Sequence, residues 1–406
     1  MIRGEPVSSN VEAGLNGARG SRAAIAASAA DLINSAAHAG FGPALVGFDG
    51  FVDYILRMVD VRSGMGPGEY TPIRTIAEFS RRCAAAAGKS TNIEQVLLEE
   101  RFGGNGPLMA GALGQLGVPV TFIGAVARSD ASDDVHPVFV DFARRCREVV
   151  AIGEPSFTDA LEFDDGKLMF NNTRAVQAVT WERVVARVGI EPLVQIVDAS
   201  VLLGVVNWSL LGGVPGIWRG LMRDVLPRCV RRERTMFVDL SDPAKRTDAD
   251  VLGLTQLLRE IEACDMEVRV CLGLNLSEAQ RIGRVVGLSS SDWCAGPGLA
   301  HAAASLREAI GIACVTIHPR EGAAAADAGG TAWFEGPFVQ HPKISIGAGD
   351  HYNAGFGLAR AHGASLSQSL ACGVALSGVY VRDGESPTLE RLVGFLRALP
   401  VPGAAE

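Results

Sequence analysis

The residues best suited to chemistry lie near the end of the chain, in the run Gly347-Ala-Gly-Asp350. Three small residues precede an acid, and a run that can be helical, residues 352–362, follows directly. A glycine-rich turn at a helix start leaves backbone N–H groups free at the positive end of the helix dipole, where anions bind. We expect Asp350 to be ionised there and able to accept a proton. An anion hole beside a base suits phosphoryl transfer to a hydroxyl, whereas a plain turn with Asp350 as an N-cap is the structural alternative.

Two further acids follow the first predicted strand. Residues 44–48 form a short apolar run with the length of a buried strand, and Asp49 and Asp53 come directly after it. In parallel α/β sheets, ligands bind at the carboxyl ends of the strands. Asp49 and Asp53 are therefore candidates for substrate binding, with ordinary loop acids at a turn as the alternative.

A double glycine marks a third candidate site at Gly103-Gly104-Asn105. These residues open a predicted helix over residues 108–116, and a strong strand is predicted over residues 118–126. Glycine at a helix start allows a ligand to approach the backbone closely and leaves N–H donors free. We therefore include Gly103, Gly104 and Asn105 in the substrate site, although a simple chain reversal would need the same residues.

A fourth motif, Asn275-Leu-Ser-Glu278, follows the strand predicted over residues 268–272. Asn275 is suited to be an N-cap, and Glu278 three residues later completes a capping-box pattern. In the functional interpretation, Glu278 holds Mg²⁺ directly or through water near the nucleotide phosphates, because this ion prefers hard oxygen ligands. The two interpretations are compatible.

Two other motifs fail on their context. Gly88-Lys-Ser90 resembles the end of a P-loop, but Cys83 stands where the first glycine should be. After the first strand, Gly47-Phe-Asp-Gly50 lacks the spacing of a dinucleotide-binding glycine motif. A dinucleotide-dependent oxidoreductase is therefore rejected.

Composition narrows the class of protein further. The chain has 406 residues, 48% of them apolar and 20% charged, and a net charge of −8, which argues against a nucleic-acid partner. The eight cysteines are scattered without metal-ligand spacing. Apolar runs stay well short of the ~20 residues of a membrane span, and Glu5 and Glu12 argue against a secretion signal. We expect a cytoplasmic α/β protein with no membrane partner.

Strand and helix signals alternate regularly from residue 180 onward, which predicts a mostly parallel sheet with helices on both faces. Residues 161–170 break this pattern, because they form a β-hairpin around Asp165-Gly166. A hairpin needs further strands to be stable, so we expect a small second sheet, with strands from residues 54–75, that serves as a lid. The predicted division is an N-terminal extension at 1–40, an α/β domain at 41–53, 100–155 and 180–406, and lid elements at 54–99 and 156–179.

Taken in order, these segments resemble the ribokinase-like family, the phosphofructokinase-B-type carbohydrate kinases. The matching segments are residues 47–53, Gly103-Gly104-Asn105, Asn275 to Glu278, and Gly347-Ala-Gly-Asp350 followed by Asn353. Residues 315–322 are similar to the nucleotide-side strand of the family. The resemblance implies a ribokinase-like α/β fold, in which a central, mostly parallel sheet is flanked by helices on both faces and carries a small β-sheet lid.

The resemblance also implies roles for particular residues. Asp350 would be the general base, and backbone N–H groups of Gly347, Ala348 and Gly349 would form the anion hole. On the acceptor side, Asp53 would grip sugar hydroxyls, with Gly104 and Asn105 completing the pocket. On the donor side, the implied residues are Asn275 and Glu278, acting through Mg²⁺ and its waters, and Thr316, Gly322 and Asn353 around the nucleotide. By analogy, the lid would also form a homodimer.

The sequence departs from the family at several positions. Ile344 replaces an acid and puts the usual monovalent-cation site in doubt, while His351 and Leu108 replace residues that are commonly small and polar. Asp53 lies one residue later than in typical ribokinases, as in ADP-dependent sugar kinases. ATP is the favoured donor and ADP stays open, and the acceptor stays open between a sugar, a sugar phosphate and a nucleoside. A binding protein that has lost catalysis is the alternative from another class.

Overall fold

The structure is a computed structural model, and it describes residues 8–289, 293–294 and 296–402. Residues 1–7 of the predicted N-terminal extension lie outside this part. The strands are β1 (Ala44–Phe48), β2 (Phe51–Arg62), β3 (Tyr70–Pro72), β4 (Gln95–Gly103), β5 (Val120–Gly124), β6 (Glu148–Ala151), β7 (Ser156–Phe163), β8 (Gly166–Asn172), β9 (Leu202–Val205), β10 (Arg234–Asp239), β11 (Val268–Leu274), β12 (Cys314–Ile317), β13 (Gly322–Asp327) and β14 (Gly330–Glu335). The α-helices are α1 (Ser8–Ala39), α2 (Ile76–Ala84), α3 (Asn105–Gln115), α4 (Val140–Ala143), α5 (Trp181–Val188), α6 (Ile190–Ala199), α7 (Val214–Gly220), α8 (Asp248–Glu262), α9 (Leu276–Val285), α10 (Gly298–Ile310), α11 (Ala348–Ala361), α12 (Leu366–Asp383) and α13 (Leu389–Arg397).

The large sheet has nine strands in the order β14-β13-β12-β11-β10-β9-β1-β5-β6. The strands from β12 to β6 in this order pair in parallel, and β13 and β14 add an antiparallel edge. Every residue of β1, β5 and β9 is buried, as expected for strands that helices cover on both faces. The predicted mostly parallel sheet is confirmed.

Two apolar cores lie on the two faces of this sheet. One core includes side chains of α8, α9 and α10, such as Leu254, Ile282 and Leu306. The other includes side chains of α3, α11 and α12, such as Leu113 and Phe356. This confirms the prediction of helices on both faces.

The N-terminal helix α1 occupies most of the predicted extension at residues 1–40. It begins at Ser8 and ends at Ala39. From Arg22 onward the helix packs on α13 and β14. Ile33 is buried, Asp31 pairs with Arg397 of α13, and Arg22 donates to the Glu335 carbonyl of β14 at 2.8 Å. Once this part is anchored, further helical residues need no new nucleation, so the helix extends toward the N-terminus.

The second sheet has five strands, with β3, β2, β7 and β8 in order and β4 also pairing with β2. The predicted hairpin is confirmed as β7 and β8. The expected strands from residues 54–75 are present as β2 and β3, although β2 begins earlier, at Phe51, and has 12 residues. Helix α2 covers part of this sheet, with the Phe79 ring packed at a tilt against Phe163, at 5.5 Å between ring centroids. Since β2 is largely buried on both faces, its sequence lacks the clean alternation that signals a strand.

The second sheet therefore includes residues 51–103 and 156–172, so Asp53 and Gly103 lie on its strands. The division of the chain into an α/β domain and a lid stays a prediction. In the described part of the chain, every helix is too short or too polar to cross a membrane.

Candidate active site

Polar side chains follow four neighbouring strands of the large sheet. Asp49 comes after β1, Asn207 after β9 and Asn275 after β11, while Asp239 is the last residue of β10. These strands are adjacent and parallel in the order β11-β10-β9-β1, so their carboxyl ends meet at one edge. The topology thus gathers these side chains where α/β sheets bind ligands.

Asp49 anchors the start of α3. Its fully buried carboxylate accepts hydrogen bonds from the Asn105 N–H at 2.9 Å, the Gly106 N–H at 2.7 Å and the Asn207 side-chain amide at 2.7 Å. A Cβ on Gly106 would stand 2.5 Å from the Asp49 Oδ1, which explains the glycine. Because both carboxylate oxygens already have partners, Asp49 holds the double-glycine segment in place rather than facing open space.

Asp350 lies in the first turn of α11 and meets the double-glycine segment. The Asn105 side-chain amide donates to the Asp350 Oδ1 at 2.9 Å. The helix begins at Ala348, four residues earlier than predicted, with Gly347 as the N-cap at φ 88°. Gly349 and Asp350 are therefore part of the first turn, where N–H groups lack intrahelical acceptors. The contact joins two motifs of the sequence, the double-glycine segment and the acid in the first turn of α11.

The ionisation of Asp350 differs from our expectation. Burial raises the pKa of Asp350 well above its ordinary value, and the negative charges of Asp239 and Asp49 raise it further, while the Asn105 hydrogen bond opposes this. The helix start alone would have favoured the anion, but desolvation outweighs it. A carboxylate with a raised pKa is a stronger base, which suits proton abstraction near neutral pH.

Asp239 is a site residue that the sequence analysis missed. Its buried carboxylate accepts from the Asn353 amide at 2.8 Å and from the Ser241 N–H at 2.9 Å. Burial, followed by the charge of Asp49, raises its pKa to about 6. Its signal was the same as that of Asp49, an acid at the end of a strand. Asn207, with φ 64° just after β9, was missed as well.

The predicted capping box at Asn275 and Glu278 is present. The Asn275 Oδ1 accepts from the Glu278 N–H at 2.9 Å, and the Glu278 carboxylate accepts from the N–H groups of Asn275 and Asp242, each at 2.9 Å. Burial, with the charges of Asp239 and Asp242, raises the pKa of Glu278 to about 7. Glu278 thus ends a chain of interacting acids that runs through Asp239 to Asp350.

These acids fit a loosely held Mg²⁺. Among residues 8–289, 293–294 and 296–402, His, Cys, Asp and Glu side chains form no group of three that could enclose a metal. The partners that lower the pKa values of Asp239, Glu278 and Asp350 are amides and backbone N–H groups rather than cations. An acidic cluster without a cation suits Mg²⁺, which keeps several waters and binds through one or two carboxylates and substrate phosphates.

This cluster predicts how stability depends on pH. The folded-state pKa values are about 6 for Asp49 and Asp239 and about 7 for Glu278, all above their ordinary values. The unfolded chain therefore loses these protons more readily, so the free energy of unfolding should fall between pH 5 and pH 7.5, by roughly 2 kcal/mol or more. Urea denaturation at several pH values between 5 and 7.5 measures this fall in the free energy of unfolding.

The Glu278→Gln variant is the control for this pH dependence. It removes one titrating group, so its free energy of unfolding should change less over the same pH range. A wild-type stability that stays level or rises from pH 5 to pH 7.5 would contradict the raised pKa values.

A cleft of roughly 710 Å³ opens beside the start of α11. It is lined by Gly349 and Tyr352 of α11, by Gly322, by His318 and by the hairpin turn at Asp164 to Gly166. Its size suits a nucleotide. Gly322, which the family resemblance assigned to the nucleotide, is one of the residues that line this cleft.

Two predicted nucleotide residues lie beneath this cleft rather than on its surface. Thr316 is fully buried, with its hydroxyl 2.5 Å from the Tyr352 hydroxyl and donating to the Ala324 carbonyl at 3.0 Å. Asn353 is also fully buried and donates to Asp239. These residues position Tyr352 and Asp239, so any effect on the nucleotide is indirect.

Asp53 borders a second, smaller cavity of about 200 Å³. Burial raises the pKa of Asp53, while the charge of Arg101 and a Thr158 hydrogen bond lower it. A Cβ on Gly103 would stand 2.3 Å from the Asp53 Oδ2, so glycine is required there. Ile344 and Ile346 line this cavity, whereas Ser345 and Ala348 line the cleft, so both lie against the segment that leads into α11. The size and polar lining of the cavity suit a small acceptor.

Three further departures from the family pattern, besides the position of Asp53, meet around this cavity. Leu108 and Ile344 line it. His351 lies behind it, fully buried, with Nδ1 2.7 Å from the Gly347 carbonyl and Nε2 2.9 Å from the Ser386 hydroxyl. His351 thus ties the start of α11 to the residues that follow α12.

The fold, with an acid in the first turn of a helix beside a nucleotide-sized cleft and near a small polar cavity, is that of a sugar kinase of the ribokinase-like class. Solved structures agree on the fold. A carbohydrate kinase from Agrobacterium tumefaciens has a TM-score of 0.58 and 17% identity, covering 88% of this chain and 98% of that chain. The ribokinase from Thermotoga maritima has a TM-score of 0.55 and 14% identity, covering 88% and 99%.

The chain belongs to the prokaryotic ketohexokinase family, whose model matches residues 21–398. The ketohexokinase from Haloferax volcanii is 31% identical over 358 residues, which cover 87% of this chain and 90% of that protein. The protein is therefore a carbohydrate kinase, a phosphotransferase with an alcohol group as acceptor.

Proposed function

We propose that the protein transfers the γ-phosphoryl group of ATP to a hydroxyl group of a ketohexose. The acceptor class comes from the family and from the Haloferax relative, which is named a ketohexokinase. The observation that carries the mechanism is the 2.9 Å contact between Asn105 and Asp350. It supports Asp350 as the base, because it joins the double-glycine segment, which we propose binds the acceptor, to the helix start, which we propose binds the phosphates.

In this mechanism Asp350 removes the proton from the attacking hydroxyl. Burial raises its pKa, so it is basic enough to do so near neutral pH. Backbone N–H groups at Gly347, Ala348 and Gly349 stabilise the charge that develops on the transferred phosphoryl group. Ala348 already donates to the Ser345 carbonyl at 3.3 Å, so Gly349 is the main donor in this anion hole.

Acceptor and nucleotide occupy opposite sides of this helix start. Asp53, Gly104 and Asn105 hold the sugar. Asp49 and Gly103 position these residues. Asp49 accepts a hydrogen bond from the Asn105 N–H, and Gly103 leaves room for the Asp53 side chain. Gly322 borders the nucleotide in the cleft, and Thr316 and Asn353 act through Tyr352 and Asp239.

Mg²⁺ is the cofactor of this proposal. Glu278 and Asp239 would hold it through water, because each Glu278 oxygen already accepts a backbone hydrogen bond. The ion would neutralise charge on the donor phosphates. Asn275 acts by orienting Glu278 through the capping box. We assign no role to a monovalent cation, since Ile344 offers no charge at the cavity it lines.

The second sheet acts as the lid. Its hairpin turn at Asp164 to Gly166 lines the nucleotide cleft, while Asp53 on β2 lines the acceptor cavity. One rigid sheet therefore borders both substrates, and its closure would exclude water and limit wasteful hydrolysis of ATP.

The second sheet also offers a surface for a homodimer. Tyr54, Phe157 and Phe170 lie on one face by strand register, with Phe157 41% and Phe170 54% exposed. Exposed aromatic side chains of this kind mark interaction sites.

We also propose a cytoplasmic location, where ATP is available. All eight cysteines are unpaired, in keeping with a reducing compartment.

A coupled assay of phosphoryl transfer tests the proposed function. Wild-type protein is given ATP or ADP with Mg²⁺ and a panel of ketohexoses, aldohexoses, sugar phosphates and nucleosides. We expect turnover with ATP and a ketohexose, at a kcat/KM at least about tenfold above the other pairs. A preference for ADP would correct the donor. Turnover of nucleosides alone, or of no pair, would overturn the proposal.

A further inference from the structure

We infer that Arg101 is a sugar-binding residue which, together with Asp53, selects an uncharged acceptor carrying two adjacent hydroxyl groups. The inference rests on the proposed function and deepens it. Arg101 belongs to none of the family motifs in the sequence, and it lies on strand β4 of the second sheet.

The position of Arg101 is the first observation. In the antiparallel pairing of β2 with β4, Arg101 is directly opposite Asp53. Directly opposed residues project from the same face of a sheet. Both residues line the acceptor cavity of about 200 Å³. A cation and a carboxylate are thus presented side by side to whatever occupies this cavity.

The second observation is an unsatisfied donor. The Arg101 Nη2 is buried and has no hydrogen-bond partner among the described residues. A buried donor without a partner is costly and uncommon in native proteins, and a charged one more so. At the wall of a substrate cavity, an oxygen atom of the substrate is the natural acceptor.

The cavity adjoins the reacting centre. The Tyr380 hydroxyl donates to the Ile346 carbonyl at 2.8 Å, one residue before the N-cap of α11. Burial raises the pKa of Tyr380 to about 12, and the charges of Arg101, Asp350 and Asp53 all act on it. A Cβ on Gly347 would stand 3.0 Å from the Tyr380 hydroxyl, so Tyr380, which lines the cavity, contacts the N-cap of α11, three residues before Asp350. A hexose bound by Arg101 and Asp53 is therefore near the base.

The charges in the cavity favour a neutral sugar. Three acids, Asp53, Glu99 and Glu385, line it together with two arginines, Arg101 and Arg145. The acids outnumber the arginines, so a phosphate or carboxylate on the acceptor would meet net repulsion. A diol matches the Arg101–Asp53 pair, because the guanidinium fork donates to two oxygens and the carboxylate accepts from a hydroxyl.

Kinetics of Arg101→Gln with fructose and ATP test the assignment. We expect kcat/KM for fructose to fall about 10- to 100-fold, mainly through KM, with the KM for ATP changed less than about twofold. The matched control is Arg82→Gln on α2, where Arg82 pairs with the exposed Asp60. It should behave as wild type. Arg101→Lys keeps the charge without the fork, should lose less, and replaces the Gln variant if that variant fails to fold.

Deoxy substrates show whether Arg101 touches the sugar. Wild type should lose about 10- to 100-fold in kcat/KM on either 3-deoxyfructose or 4-deoxyfructose, whereas Arg101→Gln should lose little more on the same analogue. The assignment would be overturned if, on each analogue, wild type and Arg101→Gln lost the same factor in kcat/KM. It would also be overturned if Arg101→Gln left the KM for fructose unchanged. A higher kcat/KM for fructose 1-phosphate or 6-phosphate than for fructose would overturn the uncharged class. Absence of wild-type turnover with every ketohexose would overturn the proposed function itself.

Discussion

Replacing Asp350 with Asn is expected to lower kcat for ketohexose phosphorylation about 100- to 10,000-fold, the range of general-base catalysis. The amide can still accept the hydrogen bond from Asn105, which measures 2.9 Å in the structure, so the first turn of α11 should keep its geometry. Burial disfavours the Asp350 carboxylate, so the neutral variant should be at least as stable as wild type near pH 8. The coupled assay and thermal unfolding measure the two effects.

The control for this experiment is Asp248→Asn, the same chemical change at a side chain that is 75% exposed and pairs with Arg281. Its kcat should match that of wild type. If Asp350→Asn keeps more than about a tenth of the wild-type kcat, Asp350 is not the base. If its kcat falls only together with its stability, the effect is structural.

Replacing Asp49 with Ala should lower the free energy of unfolding by roughly 3 kcal/mol, the largest loss of stability among the variants proposed here. Three donors would lose their acceptor, namely the Asn105 and Gly106 N–H groups and the Asn207 amide. Removal of a buried carboxylate, whose pKa burial raises to about 6, offsets part of this loss. Since Asn105 is held by Asp49 and holds Asp350, activity should fall even where the variant is folded.

Urea denaturation at pH 7 measures this loss. Asp60→Ala is the matched control, because Asp60 is 51% exposed and its ion pair with Arg82 lies on the surface. Such pairs contribute about 1 kcal/mol or less. Asp49→Asn should lose less than Asp49→Ala, since it keeps one acceptor oxygen. A free energy for Asp49→Ala within about 1 kcal/mol of wild type would remove the anchoring role.

Much of the fold could be predicted from sequence because the signals are local. The alternation of strands and helices, the hairpin around Asp165 and the capping box at Asn275 each depend on residues within a few positions. The Gly347-Ala-Gly-Asp350 run is of the same kind, although the helix begins at Ala348. The start of strand β2 at Phe51 lacked such a signal, because burial on both faces removed the alternation of apolar and polar residues.

The roles of the acids could not be read in this way. Asp49 was predicted to contact substrate, but the structure engages both of its oxygens with α3 and Asn207. Asp350 was expected to be ionised, but burial with Asp239 and Asp49 raises its pKa. Each outcome depends on neighbours from other strands, and their identity is not visible along the chain.

The sequence by itself determined the class of fold, which follows from the hydrophobic periodicity. It also determined that Asp350 lies at the start of a helix, which follows from the glycines before it. The tertiary structure alone decided which groups meet. Asn105 and Asp350 are 245 positions apart, and Asp239 joins them to Glu278 only because β10 lies between β9 and β11. The pairing of β2 with β4 likewise brought Arg101 directly opposite Asp53. Desolvation and charge act through space, so strand order and burial set the chemistry that local pattern could only suggest.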